Sequence, residues 1–168
     1  MDKVTLKKVK FAEHMSEETN AFTADVYYKG KKVGYAKNDG RGGCTFTHPY
    51  SIELRPLLNE CESYCKGLPP HKVTFQGKEH TLNMDLELVV DTLFEDWLNE
   101  KEKKKVERKM KNSLLWGVPN SSTYQQVKFK RPLFEIPKPL LQNYIDKYKG
   151  EFKDGEVYLN TNLDGFNL

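Results

Sequence analysis

The feature that most constrains the fold is an alternation of apolar and polar residues that recurs in several segments of the first 50 positions. The clearest run places an apolar residue at every second position: Phe22, Ala24, Val26 and Tyr28. This period of two is typical of a strand that buries one face. Lys29-Gly30 supplies a turn, and Val33 and Tyr35 mark a returning strand. A further strand is predicted at Cys44, Phe46 and His48.

The first segment of the chain changes phase part-way. Val4 and Leu6 alternate with polar neighbours. Val9 and Phe11 then continue in the opposite phase. Because one extra residue shifts the phase of a strand, we predict a bulge near Lys7-Lys8. Together the alternating segments predict an antiparallel meander of three or four strands.

A second periodicity, with apolar residues three and four positions apart, predicts helices. The longest stripe, within about 84–112, consists of Leu86, Val89, Val90, Leu93, Phe94, Trp97 and Leu98. Shorter helices are predicted over about 52–66, with Pro56 in the first turn, and over 140–148. We therefore predict an α+β fold: an antiparallel β-meander packed by one long amphipathic helix, with shorter helices and a C-terminal extension.

The remaining segments carry turn signals. We predict a small hairpin with the turn Gln76-Gly77-Lys78, an irregular segment over 113–123, an edge strand over 124–130, and a hairpin around Asp154-Gly155 that joins Phe152 to 157–159. The whole chain, 1–168, is predicted to be one domain. A candidate sub-boundary near 117 would separate a sheet and long helix, 1–116, from the C-terminal extension, 117–168.

Charge and cysteine content exclude several classes. Lys and Arg number 27 against 24 Asp and Glu, a net charge of +3, so no single polyanionic partner dominates. Three cysteines do not form a disulfide framework, and no run of about 18 apolar residues is present. The first eight residues contain no apolar core of signal-peptide length. We expect a cytoplasmic protein that does not enter a membrane.

A glycine-rich loop is the first candidate binding site. It consists of Asn38, Asp39, Gly40, Arg41, Gly42 and Gly43. Successive amides in such turns form a concave anion site, and a guanidinium adds a bidentate phosphate donor. We predict that Arg41 and the three glycine amides hold phosphate. The alternative is a hairpin loop with a glycine bulge and no ligand.

The segment from Ala21 to Tyr50, which contains this loop, resembles small uncharacterised proteins of bacteriophages and prophages. In these proteins a similar hairpin is followed by a charged helix. The resemblance covers about the first two-thirds of the chain and implies no established activity. It implies an accessory protein that acts on a host process, in which case the cytoplasm is that of the host cell.

The charged end of the long helix is the second candidate. Lys104, Lys105 and Arg108 form a predicted secondary basic surface for phosphates. The alternative is a solvated helix face on which interleaved glutamates, Glu100, Glu102 and Glu107, pair with the lysines.

Metal and catalytic signals are weaker. Cys44-x3-His48 and Cys61-x3-Cys65 offer the donors of a Cys3His zinc site, but Cys61 and Cys65 also fit an apolar helix stripe. Residues four apart on a strand are about 13 Å apart, too far for Cys44 and His48 to act together. We predict buried cysteines, no metal and no cofactor. No sequence motif of a known enzyme class is present.

The sequence thus favours a non-enzymatic accessory protein of phage type that binds a nucleotide, a nucleic acid or a host protein. One alternative is a small hydrolase or nuclease that uses Asp39 or His48. Another is a structural or protein-interaction module without a small-molecule ligand. The oligomeric state stays open.

Overall fold

A computed structural model describes residues 3–75, 77–121 and 123–168. The chain divides into two compact units, Met1–Leu98 and Asn99–Leu168. The division falls inside the longest helix, whereas the sequence placed a candidate sub-boundary further along, near 117. Among the described residues, no helix combines the length and apolar character needed to cross a membrane.

The first unit contains the predicted meander. Strands β1 (Val4–Phe11), β2 (Phe22–Tyr28), β3 (Lys31–Asn38) and β4 (Phe46–Pro49) form an antiparallel sheet in that order. The β1–β2 register shifts between Lys7 and Lys10, where Lys8 has φ 51°, and this confirms the predicted bulge. Lys29 and Gly30 have φ of 48° and 78°, as the tight turn between β2 and β3 requires.

One face of this sheet is buried under helices. Helix α1 (Arg55–Lys66) contributes Leu58, Cys61 and Cys65, and Pro56 stands in its first turn as predicted. Helix α2 (Leu86–Met110) contributes its N-terminal part. The rings of Phe22 and Phe94 stack with centroids 3.9 Å apart. The long helix therefore packs on the meander, which confirms the predicted α+β fold.

A small hairpin separates these helices. Strands β5 (His71–Phe75) and β6 (Lys78–Leu82) pair with each other in an antiparallel register. Gly77 has φ 74°, a conformation that favours glycine in a turn. Of the predicted turn Gln76-Gly77-Lys78, Gln76 lies outside the described residues.

The second unit has its own sheet and core. Strands β7 (Ser113–Gly117), β8 (Gln125–Lys128) and β9 (Val157–Tyr158) form an antiparallel sheet in the order β8-β7-β9, and helix α3 (Lys138–Lys149) matches the predicted short helix. The edge position of β8 was also predicted. The core of the second unit consists of Leu114, Leu133, Ile136, Leu141, Ile145 and Leu163.

Two predictions for this unit are wrong. Residues 113–117 are a buried strand rather than an irregular segment, because a strand buried on both faces shows a continuous apolar run instead of alternation. The segment after Asp154-Gly155 pairs with β7 and not with the segment around Phe152. The dipeptide does form the predicted turn, with Gly155 at φ 78°.

Candidate functional site

The glycine-rich loop is held by the side chain of Asn38, which is buried at the end of β3. Its Nδ2 donates to the carbonyl oxygen of Gly43 at 3.1 Å and to Oγ1 of Thr45 at 3.0 Å. Its Oδ1 accepts from the Gly40 amide at 2.9 Å and from the Thr19 hydroxyl at 3.0 Å. One buried amide group therefore holds both ends of the loop and the segment that precedes β2.

Two of the three glycine amides predicted to hold phosphate already have partners. The Gly40 amide donates to Asn38, and the Gly42 amide donates to Thr19 Oγ1 at 3.3 Å. The Gly40 carbonyl oxygen accepts from the amides of residues 17–19 at 2.9 to 3.3 Å. These bonds form the loop itself and do not point at a ligand.

The surroundings of the loop are acidic. Asp39 pairs with Lys37 at 2.7 Å, and the Glu18 carboxylate lies beside Gly42. Within the part of the chain that the structure describes, Arg41 is exposed and has no ion pair. Phosphate binding at this loop stays a prediction, and it rests on Arg41 more than on the glycine amides.

A carboxylate-lined cleft of about 270 Å³ lies behind the loop. It is lined by Thr19, Asn20, Phe22, Asn38, Gly43, Asp91, Phe94 and Glu95. Burial raises the pKa of the Asp91 carboxyl, and the carboxylates of Glu87 and Glu95 raise it further. Thr45 partly offsets this by donating its hydroxyl to Asp91 at 2.6 Å. The cleft is therefore a poor environment for an anion.

The candidate zinc ligands are separated. Cys61 and Cys65 are buried in the core as predicted, and their hydrogen bond to each other raises the pKa of the Cys61 thiol. Cys44, in contrast, is exposed, and the Glu87 carboxylate raises its pKa. Among residues 3–75, 77–121 and 123–168, no three His, Cys, Asp or Glu side chains lie close enough to hold a metal ion.

The predicted secondary basic surface is largely paired within the helix. Lys104 contacts Glu100 at 3.3 Å, and Lys105 contacts Glu102 at 3.2 Å. Arg108 differs, because it lines a cleft of about 270 Å³ together with Lys109 and Lys128. The alternative of a solvated helix face with paired charges accounts for the two lysines.

The outer face of the four-stranded sheet is a site that sequence reasoning missed. Its aromatic and basic side chains, here called the aromatic–lysine face, are Lys7, Lys8, Lys10, Tyr27, Lys32, Tyr35, Lys37, Phe46, His48 and Tyr50. Three of these rings are well exposed: Tyr35 at 38%, Phe46 at 61% and Tyr50 at 45%. The sheet thus presents large aromatic surface to solvent on the side opposite its core.

The rings form a row across the β3–β4 edge. His48 lies opposite Tyr35 in the strand register, with ring centroids 5.5 Å apart. Phe46 follows His48 at 6.4 Å in a near-parallel arrangement, and Tyr50 meets Tyr35 edge-on at 5.7 Å. Neighbouring rings at these separations present several faces and edges to one extended ligand.

Lysine ammonium groups accompany the rings. Lys7 lies 4.3 Å from the ring centroid of Tyr27, and Lys32 lies 3.5 Å from that of Tyr50. A cleft of about 320 Å³ runs along this face and is lined by Lys8, Lys10, Thr23, Ala24, Asp25, Lys32, Tyr35 and Tyr50. Positive charge and aromatic surface therefore occupy the same face.

Asp25 is the one carboxylate among the residues that line this cleft. It is buried, accepts a hydrogen bond from the Tyr50 hydroxyl and pairs with Lys32 at 2.9 Å. The Tyr50 hydrogen bond, helped by Lys32, lowers the pKa of Asp25 below its ordinary value. The ionised carboxylate therefore fixes Tyr50 and Lys32 in place on the face.

A second bulge, which the sequence analysis did not predict, places Tyr35 on the opposite face of the sheet from Val33. Val26 pairs with Gly34 and Tyr27 pairs with Lys32, so Val33 is an extra residue in β3. After it, the phase reverses, and Tyr35 points outward although Val33 is buried. In the sequence, this face could have been found from the strand positions that alternate with the buried residues, because those positions carry aromatic side chains and lysines.

No protein family, curated protein or solved structure matches this chain.

Proposed function

We propose that the protein binds single-stranded nucleic acid on the aromatic–lysine face. The observation that carries this proposal is the row of exposed rings on β3 and β4 flanked by lysines of β1 and β3. Proteins that bind single strands combine aromatic side chains, on which bases stack, with cationic groups that follow the phosphates. Binding needs no catalytic group, in keeping with a non-enzymatic accessory protein.

The arrangement favours a single strand over a duplex. Stacking on Tyr35, Phe46 or His48 requires an unpaired base, because a duplex covers the base faces. The rings are spread across two strands, so they suit successive bases of one strand better than one isolated nucleotide. Each stacked base contributes about 1–3 kcal/mol of binding free energy.

Fluorescence anisotropy with labelled single-stranded DNA and RNA, and with the matched duplexes, tests the proposal. We expect Tyr35→Ala and Phe46→Ala each to weaken single-strand binding by about 5- to 150-fold. This range corresponds to losing the stacking free energy of one base. Phe134→Ala is the matched control, because Phe134 is an exposed aromatic residue, 85% accessible, in the second unit. Absence of single-strand binding, or equal losses in the control, would refute the proposal.

The glycine-rich loop supplies a second candidate, a nucleotide phosphate held by Arg41. The supporting observation is the exposed guanidinium of Arg41 next to Gly42 and Gly43, both of which are also exposed. Calorimetry with mono-, di- and cyclic nucleotides tests it. The expected result is binding that Arg41→Ala weakens at least tenfold, since a bidentate charged contact is lost. A flat response of the unmodified protein would remove the loop as a binding site.

In the wider setting, the resemblance of 21–50 to phage and prophage proteins supports a role in which the protein alters a host process. A face that accepts single strands fits such a role through transcripts or through unpaired DNA.

A further inference from the structure

A preformed apolar groove lies in the second unit, independent of the sheet face described above. The groove has a volume of about 410 Å³ and is lined by Phe129, Lys130, Arg131, Ile136, Pro137, Leu140 and Tyr144. Volumes of about 300–1,000 Å³ are typical of sites that accept organic ligands and side chains. We call it the 129–144 groove.

Its walls are fixed by the fold of the unit. The Phe129 amide donates to the carbonyl of Asn112, and its ring packs edge-on against Tyr144 with centroids 5.1 Å apart. On the other wall, Pro137 immediately precedes α3, and its carbonyl accepts from the amides of residues 140 and 141. A ligand would therefore not have to order this backbone on binding, which reduces the entropic cost of association.

Apolar surface remains open to solvent here. Leu140 is 46% exposed although it belongs to the apolar stripe of α3, and Ile136 beside it is almost fully buried. Phe134, in the turn between the two groove walls, is 85% exposed. Exposed side chains of this size gathered around a concave surface are typical of protein–protein contact sites.

The rim of the groove is basic. Residues 128–138 contain Lys128, Lys130, Arg131 and Lys138 against Glu135 alone, a net charge of +3 equal to that of the whole chain. Lys130 and Arg131 line the groove itself and are exposed. The complementary partner therefore carries apolar side chains for the groove and carboxylates for its rim.

We propose that the 129–144 groove binds a short acidic segment of a partner protein, anchored by Leu- or Phe-like side chains. A peptide fits better than a nucleic acid, because most of the lining is apolar. Peptide segments that enter such grooves commonly place apolar anchors at i, i+3, i+4 and i+7 of a helix.

The test uses three labelled synthetic peptides of equal length and the full chain. One has apolar anchors at i, i+3, i+4 and i+7 with glutamates between them, one has the same glutamates with serine anchors, and one has the apolar anchors with lysines. We expect binding of the first peptide with a dissociation constant below about 100 µM and at least tenfold weaker binding of the other two.

Variants locate the site. Leu140→Asp is expected to weaken binding at least tenfold, because it places a carboxylate in the groove opposite an acidic peptide. Val118→Asp is the matched control, since Val118 is an apolar residue of the same unit with similar exposure, 48%. Lys130→Glu is expected to weaken binding as well, whereas the exposed Lys153→Glu is not.

Three outcomes would overturn the proposal: no binding of the acidic peptide, equal binding of the basic one, or equal losses for Leu140→Asp and Val118→Asp. A concentration-dependent dimer in sedimentation that Leu140→Asp abolishes would assign the groove to a second copy of the chain instead. Phe46→Ala must leave peptide binding unchanged, which keeps this result separate from that on single strands.

Discussion

Asn38 uses both protons of its amide nitrogen and accepts two hydrogen bonds at its carbonyl oxygen inside the protein. A fully satisfied buried amide fixes the backbone around it, and the glycine-rich loop owes its conformation to this residue. The sequence identified the loop, but it gave no sign that the glycine amides would be used internally. That outcome depends on Thr19 and Asn38, which lie 19 residues apart.

Gly40→Ala tests the structural role of the loop. Gly40 has φ 82°, and a Cβ there would collide with the Met15 carbonyl oxygen and lie 2.8 Å from the Ala21 methyl group. We expect the free energy of unfolding in urea to fall by at least about 2 kcal/mol. Gly43→Ala is the control, because a Cβ at Gly43 meets no atom within 4 Å and its φ is ordinary. Equal stability of the two variants would contradict this account.

Asp91→Asn tests the electrostatics of the acidic cleft. Because the folded chain raises the pKa of Asp91, folding becomes less favourable as pH rises through the ordinary range of an aspartate. The variant removes two like-charge contacts along the helix, with Glu87 and Glu95. We expect it to be more stable than the parent by about 0.5–1 kcal/mol at pH 7, and the difference to shrink near pH 3.5. Urea denaturation at both pH values measures this, and a difference that grows at acid pH would be inconsistent with it.

At the scale of elements, the strands and helices whose apolar residues recur at a regular spacing were predictable. The places where that spacing breaks were not. β2, α1, α3 and the N-terminal part of α2 carry unbroken apolar patterns, and the structure confirms them. In β3 the extra residue Val33 reverses the phase, so Val33 and Tyr35, which together marked this strand in the sequence, lie on opposite faces of the sheet. The residues of β7 show no alternation of apolar and polar side chains, because both faces of the strand are buried.

Leu115→Ala tests the assignment of β7 as the central strand of its sheet. Leu115 is fully buried, and the strand pairs with β8 on one side and β9 on the other. Truncating such a side chain leaves a cavity, and we expect a loss of about 2–5 kcal/mol in the free energy of unfolding. Val118→Ala, just beyond the strand and half-exposed, should cost less than about 0.5 kcal/mol. A loss below about 1 kcal/mol for Leu115→Ala would mean that the segment is not a core strand.

For the whole molecule, a net charge of +3 conceals an uneven distribution. Positive charge gathers on the outer sheet face and around the 129–144 groove, while carboxylates gather behind the glycine-rich loop. The near balance of charge in the sequence therefore did not exclude an anionic partner. The net charge does not show where such a partner would bind, because the location depends on which residues the sheet register brings together.

The salt dependence of single-strand binding follows from this distribution. The aromatic–lysine face carries five lysines, of which Lys32 and Lys37 are paired with aspartates. With about three to five phosphate contacts, the slope of log K against log salt is expected to be about −2 to −3.5. Anisotropy titrations between low and physiological salt give the slope directly. A slope near zero would show that the lysines do not contact phosphates.

The most direct test of the proposed function is a nuclear magnetic resonance titration of the 15N-labelled chain with a single-stranded oligonucleotide of about ten nucleotides. We predict that amide shifts change along β3 and β4, foremost at Tyr35, Phe46 and His48, and that helix α1, which packs on the opposite face of the sheet, stays unchanged. Shifts confined to the glycine-rich loop or to the second unit, or no shifts at saturating oligonucleotide, would contradict it.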